Sequence, residues 1–200
     1  MKTRTAVAAL ALALLPALAA AEPVAYKVDG AHSSATFTIR HFVSEVDGRF
    51  KDFDGTIKYD KANPSASTVA FNIRAASIDT DNANRDKHLS SPDFFDVAKF
   101  PTLTFASTSV SAKDANTLNV TGNLTIHGVT KAVTVPVAVL GTAKGMGGAD
   151  LAAFKTSFTI NRQDYGVAWN RAMEGGGSIL SDDVTITIRV ESHTEAKAAK

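Results

Sequence analysis

The sequence predicts an all-β, antiparallel fold of about eight or nine strands, and three observations carry that prediction. Apolar residues recur at every second position through most of the chain after Tyr26, the pattern of strands with one buried face. Turn-forming pairs (Asp29-Gly30, Asp47-Gly48, Asp54-Gly55, Asn63-Pro64, His127-Gly128) and the run Gly145 to Gly148 punctuate these stretches. The connections are short, whereas parallel neighbours need crossovers of about a dozen residues or more.

The alternation runs as follows. In 34–40, Ala35, Phe37 and Ile39 share one face, and Thr36, Thr38 and Arg40 the other. The same pattern groups Ile57 with Tyr59, Val69 with Phe71 and Ile73, and Leu103 with Phe105. It continues through Leu118, Val120, Leu124 and Ile126, then Val133, Val135 and Val137. Phe154, Phe158 and Ile160 follow, and Val184, Ile186, Ile188 and Val190 close the series. Strands with a single apolar face must stack as two sheets or close on themselves, and alternation leaves both arrangements open.

Two segments break the pattern. Thr80 or Asp81 is placed to cap a short helix through Ala83, Arg85, His88 and Leu89, and Ser91-Pro92-Asp93 reads as a second helix start. Phe94, Phe95, Val97 and Phe100 then concentrate aromatic surface before Pro101, as suits a plug over a barrel end or a connection packed outside a sheet. The second segment, Gln163 to Asp183, holds Tyr165, the sole Trp at 169, an expected helical turn from Asn170 to Glu174, and Gly175-Gly176-Gly177. Such a loop serves as a gate or simply covers a barrel end.

The first 21 residues read as a secretory leader. Lys2 and Arg4 precede an apolar run from Ala6 to Leu15, and Ala19 and Ala21 form a small-residue cleavage pattern. That run is short of the ~20 residues a membrane-spanning helix needs, and Pro16 ends it. The expected organisation is a cleaved leader at 1–21, one domain at 22–194 and a disordered tail at 195–200, within an Ala- and Lys-rich segment that starts near His193. Cleavage removes two of 21 basic residues and leaves 20 acidic ones, so the expected product is near neutral and lies in a bacterial periplasm or outside the cell. Such a balance supplies no cationic field for nucleic acid. The absence of cysteine excludes disulfides, thiol catalysis and iron–sulfur ligation.

Local motifs supply no catalytic centre. His32, His41, His88, His127 and His193 are far apart in sequence and form no metal-ligand pair. Gly176-Gly177-Ser178-Ile179-Leu180 fails the last position of a serine elbow, and Asp79-Thr80-Asp81 lacks the glycine and closing glutamate of a calcium loop. Neither an enzyme assignment, a metal nor a cofactor follows. An aromatic surplus of 11 Phe, three Tyr and one Trp remains, which fills a core or lines a slim pocket.

Longer motifs bear on this choice. The chain carries Tyr26-Lys27-Val28-Asp29 with His32-Ser33, then Phe50-Lys51-Asp52-Phe53-Asp54-Gly55 and Ala76-Ser77-Ile78-Asp79-Thr80. Arg85-Asp86-Lys87-His88-Leu89, Ser91-Pro92-Asp93-Phe94-Phe95-Asp96-Val97 and Phe100-Pro101-Thr102-Leu103-Thr104-Phe105 come next. Gly122 to Lys131 and Ile160-Asn161-Arg162-Gln163-Asp164-Tyr165-Gly166 complete an ordered set across the mature chain. In these motifs the chain resembles the YceI-like family of exported polyisoprenoid-binding proteins.

The resemblance implies an extended, lipocalin-like antiparallel barrel of about eight strands with a short helical excursion. Its interior is expected to hold an isoprenoid lipid, a polyprenyl phosphate or a quinone, without catalysis. A general scavenger of fatty acids or fatty amides, and an accessory enzyme working on the isoprenoid head with His88 or His127 as base, are the alternatives. On this footing Phe37, Ile39, Phe71, Phe105, Phe154, Phe158 and Trp169 are expected to line the tunnel, with Phe94 and Phe95 lining or closing it. Tyr165 joins the expected site, and Arg162, Asn170 or Arg171 are expected to donate hydrogen bonds to the head. Transient contact with a membrane accompanies such a role, and a homodimer stays open because no motif demands it.

Overall fold

The computed structural model describes residues 22–195, so the expected leader and residues 196–200 of the expected tail lie outside the described residues. The chain opens with a long, twice-bent hairpin. Its first arm is β1 (Val24–Val28) and β2 (Ser34–His41), and its second is β3 (Ser44–Phe50) and β4 (Phe53–Tyr59). β2 pairs with β3 from Ala35↔Phe50 to His41↔Ser44, and β1 pairs with β4 from Val24↔Tyr59 to Lys27↔Thr56.

After this hairpin come β5 (Thr68–Arg74), the two-residue β6 (Ile78–Asp79), α1 (Ala83–Leu89), β7 (Thr102–Ala112), β8 (Thr117–Ile126), β9 (Val129–Lys144), β10 (Asp150–Asn161) and β11 (Leu180–His193). The sheet closes because β11 uses one edge twice. It pairs with β2 through Leu180–Arg189 and then with β1 at Lys27↔His193 and Val28↔Ser192. The result is the expected antiparallel barrel of eight arms with one short helix. β11 reaches His193, where the Ala- and Lys-rich segment starts.

The bend in the first arm is held by its own side chains. Asp29 accepts from the Ala31 amide and pairs with the His32 ring, while Ser33 donates to the Glu191 carbonyl and accepts from the Glu191 amide. The second bend is held from the end of β5 and the 75–77 turn that follows it, where the Arg74 amide donates to the Asp52 carbonyl and the Lys51 amide to the Ser77 carbonyl. Beside it, β6 adds to β3 at Phe50↔Ile78 and Arg49↔Asp79.

Two expected turns are strands. Asp47-Gly48 lies inside β3 and Asp54-Gly55 inside β4. Gly48 stands opposite Phe37 and Gly55 opposite Phe71 in the ladders. A methyl group on Gly48 would lie 2.2 Å from Phe37 Cζ, and one on Gly55 2.8 Å from the Phe71 ring. These glycines leave room for inward-facing rings, a task that outweighs their local turn preference. His127-Gly128 does form a turn, with both residues at positive φ, as a two-residue β8–β9 hairpin of this kind requires.

The helical expectations need three further corrections. The cap of α1 is Asn82, whose side chain accepts from the Arg85 amide, because the Thr80 hydroxyl is bonded to Asp86 and Asp81 has φ of 58°. Ser91-Pro92-Asp93 starts no second helix; the Phe94 and Asp96 amides both turn back onto the Ser91 carbonyl. Asn170 to Glu174 is an irregular loop with a bridge at Ala172↔Ser178, and the helical turn instead forms at Arg162–Tyr165.

The core divides along the barrel. One cluster packs Tyr26, Ile57, Tyr59, Val110, Val120 and Phe154 around the lower end. The other packs Phe50, Ile78, Phe94, Leu103, Ile126 and Tyr165 beneath a cap made of α1, the 90–101 turns and the 162–180 loop.

Candidate functional site

The alternating faces point inward and enclose two adjoining cavities. The inner one, of about 160 Å³, is walled by strands; the outer one, of about 430 Å³, lies between the barrel end and the cap. Both are lined by Phe37, Phe50, Leu103, Ile126 and Ile186, which form a collar where the chambers meet. Together they fall within the ~300–1,000 Å³ of small-molecule sites.

All the alternating apolar residues read from the sequence line one chamber or the other, except Val133, which packs against both core clusters. Phe71, Phe105, Phe154 and Phe158 line the inner chamber, and Phe37 lines both. Tyr59 meets Phe154 edge-on at 5.4 Å, so this pair narrows the lower end. Phe71 stacks on Phe53 at 5.6 Å.

The outer chamber is lined by Ile39, Phe94, Phe95, Arg162, Tyr165 and Trp169 from the expected set. His88 joins them as a hinge of the cap. Its ring meets Phe94 at 5.0 Å and Trp169 at 5.1 Å, both edge-on, and its Nε2 is 2.8 Å from Asp93. Helix, turn and loop therefore converge on one imidazole. Asn84 and Arg85, both exposed, also line this chamber and mark its solvent-facing rim.

The expected head-group donors are otherwise engaged. Arg162 is 4% exposed, and its guanidinium donates to the carbonyls of Ser181, Val167 and Trp169 and to Asp182. Burial lowers its pKa, with Asp182 acting in the opposite sense. Asn170 lines neither chamber; its amide donates to the Leu180 carbonyl and accepts from the Leu180 and Arg171 amides. Arg171 lies 5.9 Å from the Trp169 ring. Phe50, Leu103, Ile126 and Ile186 of the collar were missed as site residues, although all but Phe50 fall on faces that the alternation identifies.

Of the remaining histidines, His41 also lines the outer chamber. His127 packs on Phe100 at 4.5 Å. Asp29, His32 and Glu191 bring three metal-ligating atoms within 4.8 Å of one another. They lie at the β1–β2 bend, where the hydrogen bond from His32 lowers the Asp29 pKa and raises its own.

Comparison with known proteins agrees with this architecture. The YceI-like domain model matches residues 26–192. A UPF0312 protein of Pseudomonas putida is 41% identical over 170 residues, covering 84% of this chain and 88% of that protein. Protein YceI of Salmonella arizonae is 45% identical over 145 residues, covering 71% and 75%.

Among solved structures, Burkholderia cenocepacia BcnA superimposes with a TM-score of 0.73 at 28% identity, covering 82% of this chain and 98% of that one. The Campylobacter jejuni YCEI protein gives 0.68 at 33% identity, covering 76% and 87%. A polyisoprenoid binding domain from Saccharophagus degradans shares the fold, with a TM-score of 0.61 at 16% identity, covering 86% and 99%. A lipocalin-like barrel closed around an apolar interior, matched over nearly all its described length, makes this chain a member of the YceI-like domain family.

Proposed function

We propose that the protein binds a long-chain isoprenoid lipid inside the barrel and carries it through the periplasm, after export by the leader at 1–21. The observation behind this reading is the pair of adjoining apolar chambers that share one collar. Each five-carbon isoprenyl unit removed from water contributes about 2–4 kcal/mol gross, so a few units suffice for useful affinity without an ion pair. The fold shared with a polyisoprenoid binding domain supports this ligand class over straight-chain amphiphiles. A charged head belongs in the outer chamber, near Asn84, Arg85 and His88, where solvent reaches the rim. Transient contact with a donor or acceptor membrane follows from the carrier role.

The test is native mass spectrometry of protein taken from its own periplasm without detergent, followed by extraction of the bound species. The expected result is an isoprenoid near one per chain, returned chemically unchanged. Phe158→Arg is expected to lower its occupancy at least about tenfold while the β-type circular dichroism persists, because the charge enters an apolar wall. An empty protein that takes up no added polyprenol or quinone, or wholesale unfolding of Phe158→Arg, would point to a filled core instead.

A second reading has one specific observation behind it. The His88–Asp93 pair in the outer chamber has the geometry of an oriented base, as chemistry on the lipid head requires. It predicts a covalently altered ligand and a slower conversion in His88→Gln.

A further inference from the structure

The β2–β3 hairpin turns at Phe42 and Val43, and both side chains stand out in solvent, Val43 completely. Among the described residues five large apolar side chains are exposed, and these are the two that adjoin in sequence; Val24, Val129 and Leu140 stand apart. Phe42 also has φ of 53°, the left-handed region where a two-residue hairpin favours glycine, asparagine or aspartate and a bulky ring is out of place. The Phe-Val turn thus carries two costs, backbone strain and exposed apolar surface, that Asn-Gly would avoid.

The tip is held firmly, and it stands at the rim of the site. His41, one residue before the turn, lines the outer chamber and meets the Phe42 ring edge-on at 4.7 Å. The Phe42 amide donates to the Ile179 carbonyl at 2.8 Å, and the Arg40 guanidinium donates to the carbonyls of Phe42 and Ser178. The turn is thereby tied to the loop that roofs the outer chamber and carries Trp169 into it. Arg40 faces Glu45 across the ladder, so the charges flanking the tip balance and the apolar pair dominates it. Two residues on a convex turn present a small part of the ~800 Å² that each partner of a stable protein complex buries. A fluid lipid layer makes no such demand, because it closes around any protruding apolar side chain.

Resting on the lipid-binding reading above, we infer that Phe42 and Val43 form a membrane-docking tip, which inserts between phospholipid headgroups and sets the outer chamber against the bilayer. The partner is a lipid surface rather than a protein or a second copy of this chain. Insertion removes from water the apolar surface that the free protein leaves exposed. A lipid leaving the outer chamber on the His41 side of its rim then enters the bilayer without passing its tail through water, where every isoprenyl unit would lose its burial. Because the contact is apolar and its flanking charges are matched, it holds at high salt and requires no anionic lipid.

The chain has no cysteine, so single substitutions take one environment-sensitive fluorophore each: Ser44→Cys beside the tip, and Ala115→Cys in the β7–β8 loop at the far end of the barrel. Both labelled proteins are titrated with phosphatidylcholine vesicles, with and without the pair Phe42→Asn and Val43→Gly, and geranylgeraniol is the lipid loaded. The label at 44 is expected to shift to the blue on vesicles, and the label at 115 to stay unchanged. The double variant should bind vesicles at least about tenfold more weakly and deliver bound geranylgeraniol to them more slowly by a similar factor. Its β-type circular dichroism and its uptake of geranylgeraniol without vesicles should match the wild type, because Asn-Gly suits the turn. Raising salt from about 0.1 M to about 1 M should change vesicle binding by less than about twofold. A wild type that binds no vesicles, a double variant that binds them equally well, or binding that salt abolishes overturns the inference and leaves the lipid-binding reading standing. So does a shift of the label at 44 that follows protein concentration without vesicles, which marks contact with a second copy. If the wild type takes up no geranylgeraniol even without vesicles, the lipid-binding reading itself falls, and the delivery role of the tip with it.

Discussion

The two chambers adjoin at one collar, yet they are built by different means. The inner chamber is a product of strand periodicity: residues at alternate positions of eight arms meet across the barrel, and ladder register places each one. The outer chamber has strand ends for its floor, but its roof is assembled from a seven-residue helix, a set of turns and a long loop, held together by side chains bonding to backbone. In the inner chamber a residue's neighbours follow from its position in the ladder, whereas in the outer one they depend on a few specific clasps. The first construction spreads its stability over many contacts, and the second concentrates it.

The sharpest test of that contrast is Arg162. From a 4% exposed position its guanidinium satisfies three carbonyls, those of Val167 and Trp169 in the loop and of Ser181 at the start of β11. Arg162→Met keeps much of the apolar stem but orphans the carbonyls, each of which costs ~1–3 kcal/mol to bury unpaired. We expect a loss of about 3–5 kcal/mol in urea titration, with amide exchange accelerating first across 162–182. Uniform acceleration through β7 to β9 would show that cap and barrel are one unit and would remove the contrast.

Gly122 tests the barrel wall. A methyl group there would lie 2.5 Å from both the Ala106 carbonyl oxygen and Phe105 Cζ, so backbone as well as ring must shift. Gly122→Ala is expected to lose about 2–3 kcal/mol, at the upper end for overpacking. Gly30→Ala, whose nearest neighbour stands 4.0 Å away, should change stability little. Because the wall is shared by the inner chamber, Gly122→Ala should also weaken ligand uptake. Unchanged stability and uptake would mean that the register is softer than a closed ladder requires.

The same contrast explains what could be read from the sequence. Period-two alternation placed the lining of the inner chamber because burial there depends on each residue's own type and position. It misread Gly48 and Gly55, since an Asp-Gly pair carries the same local signal whether it turns the chain or makes room for Phe37 or Phe71 across a ladder. Arg162 looked like a head-group donor because nothing near it in sequence reveals three carbonyls, two in the loop and one at the start of β11, that only the folded chain brings to it. The helix itself was legible, but its cap shifted to Asn82 once Asp86 engaged Thr80. Irregular structure is specified by tertiary demands, which a local pattern does not encode.

The smallest expected effect lies at the collar, where the two constructions join. Asp79 on β6 sits 2.6 Å from Lys51 and 2.8 Å from Arg49, and accepts from the Asp81 amide, beside the Phe50↔Ile78 pair. Hydrogen bonds from Lys51, from the Asp81 amide and from Arg49 hold its carboxyl well below the usual carboxylate range. The folded protein therefore keeps Asp79 ionised at pH values where the unfolded chain has already taken up the proton. Its stabilising contribution is present above the ordinary value of 3.8 and is lost as pH falls towards the folded value. Thermal unfolding measured from about pH 6 to about pH 2 should fall less steeply below about pH 4 for Asp79→Asn than for the wild type. The charges are partly solvated, so added salt should narrow the difference between the two curves. Parallel curves would show that β6 is held beside the collar by the Ile78 contact and its ladder alone. The clasp would then contribute nothing to the junction between strand-built and clasp-built halves.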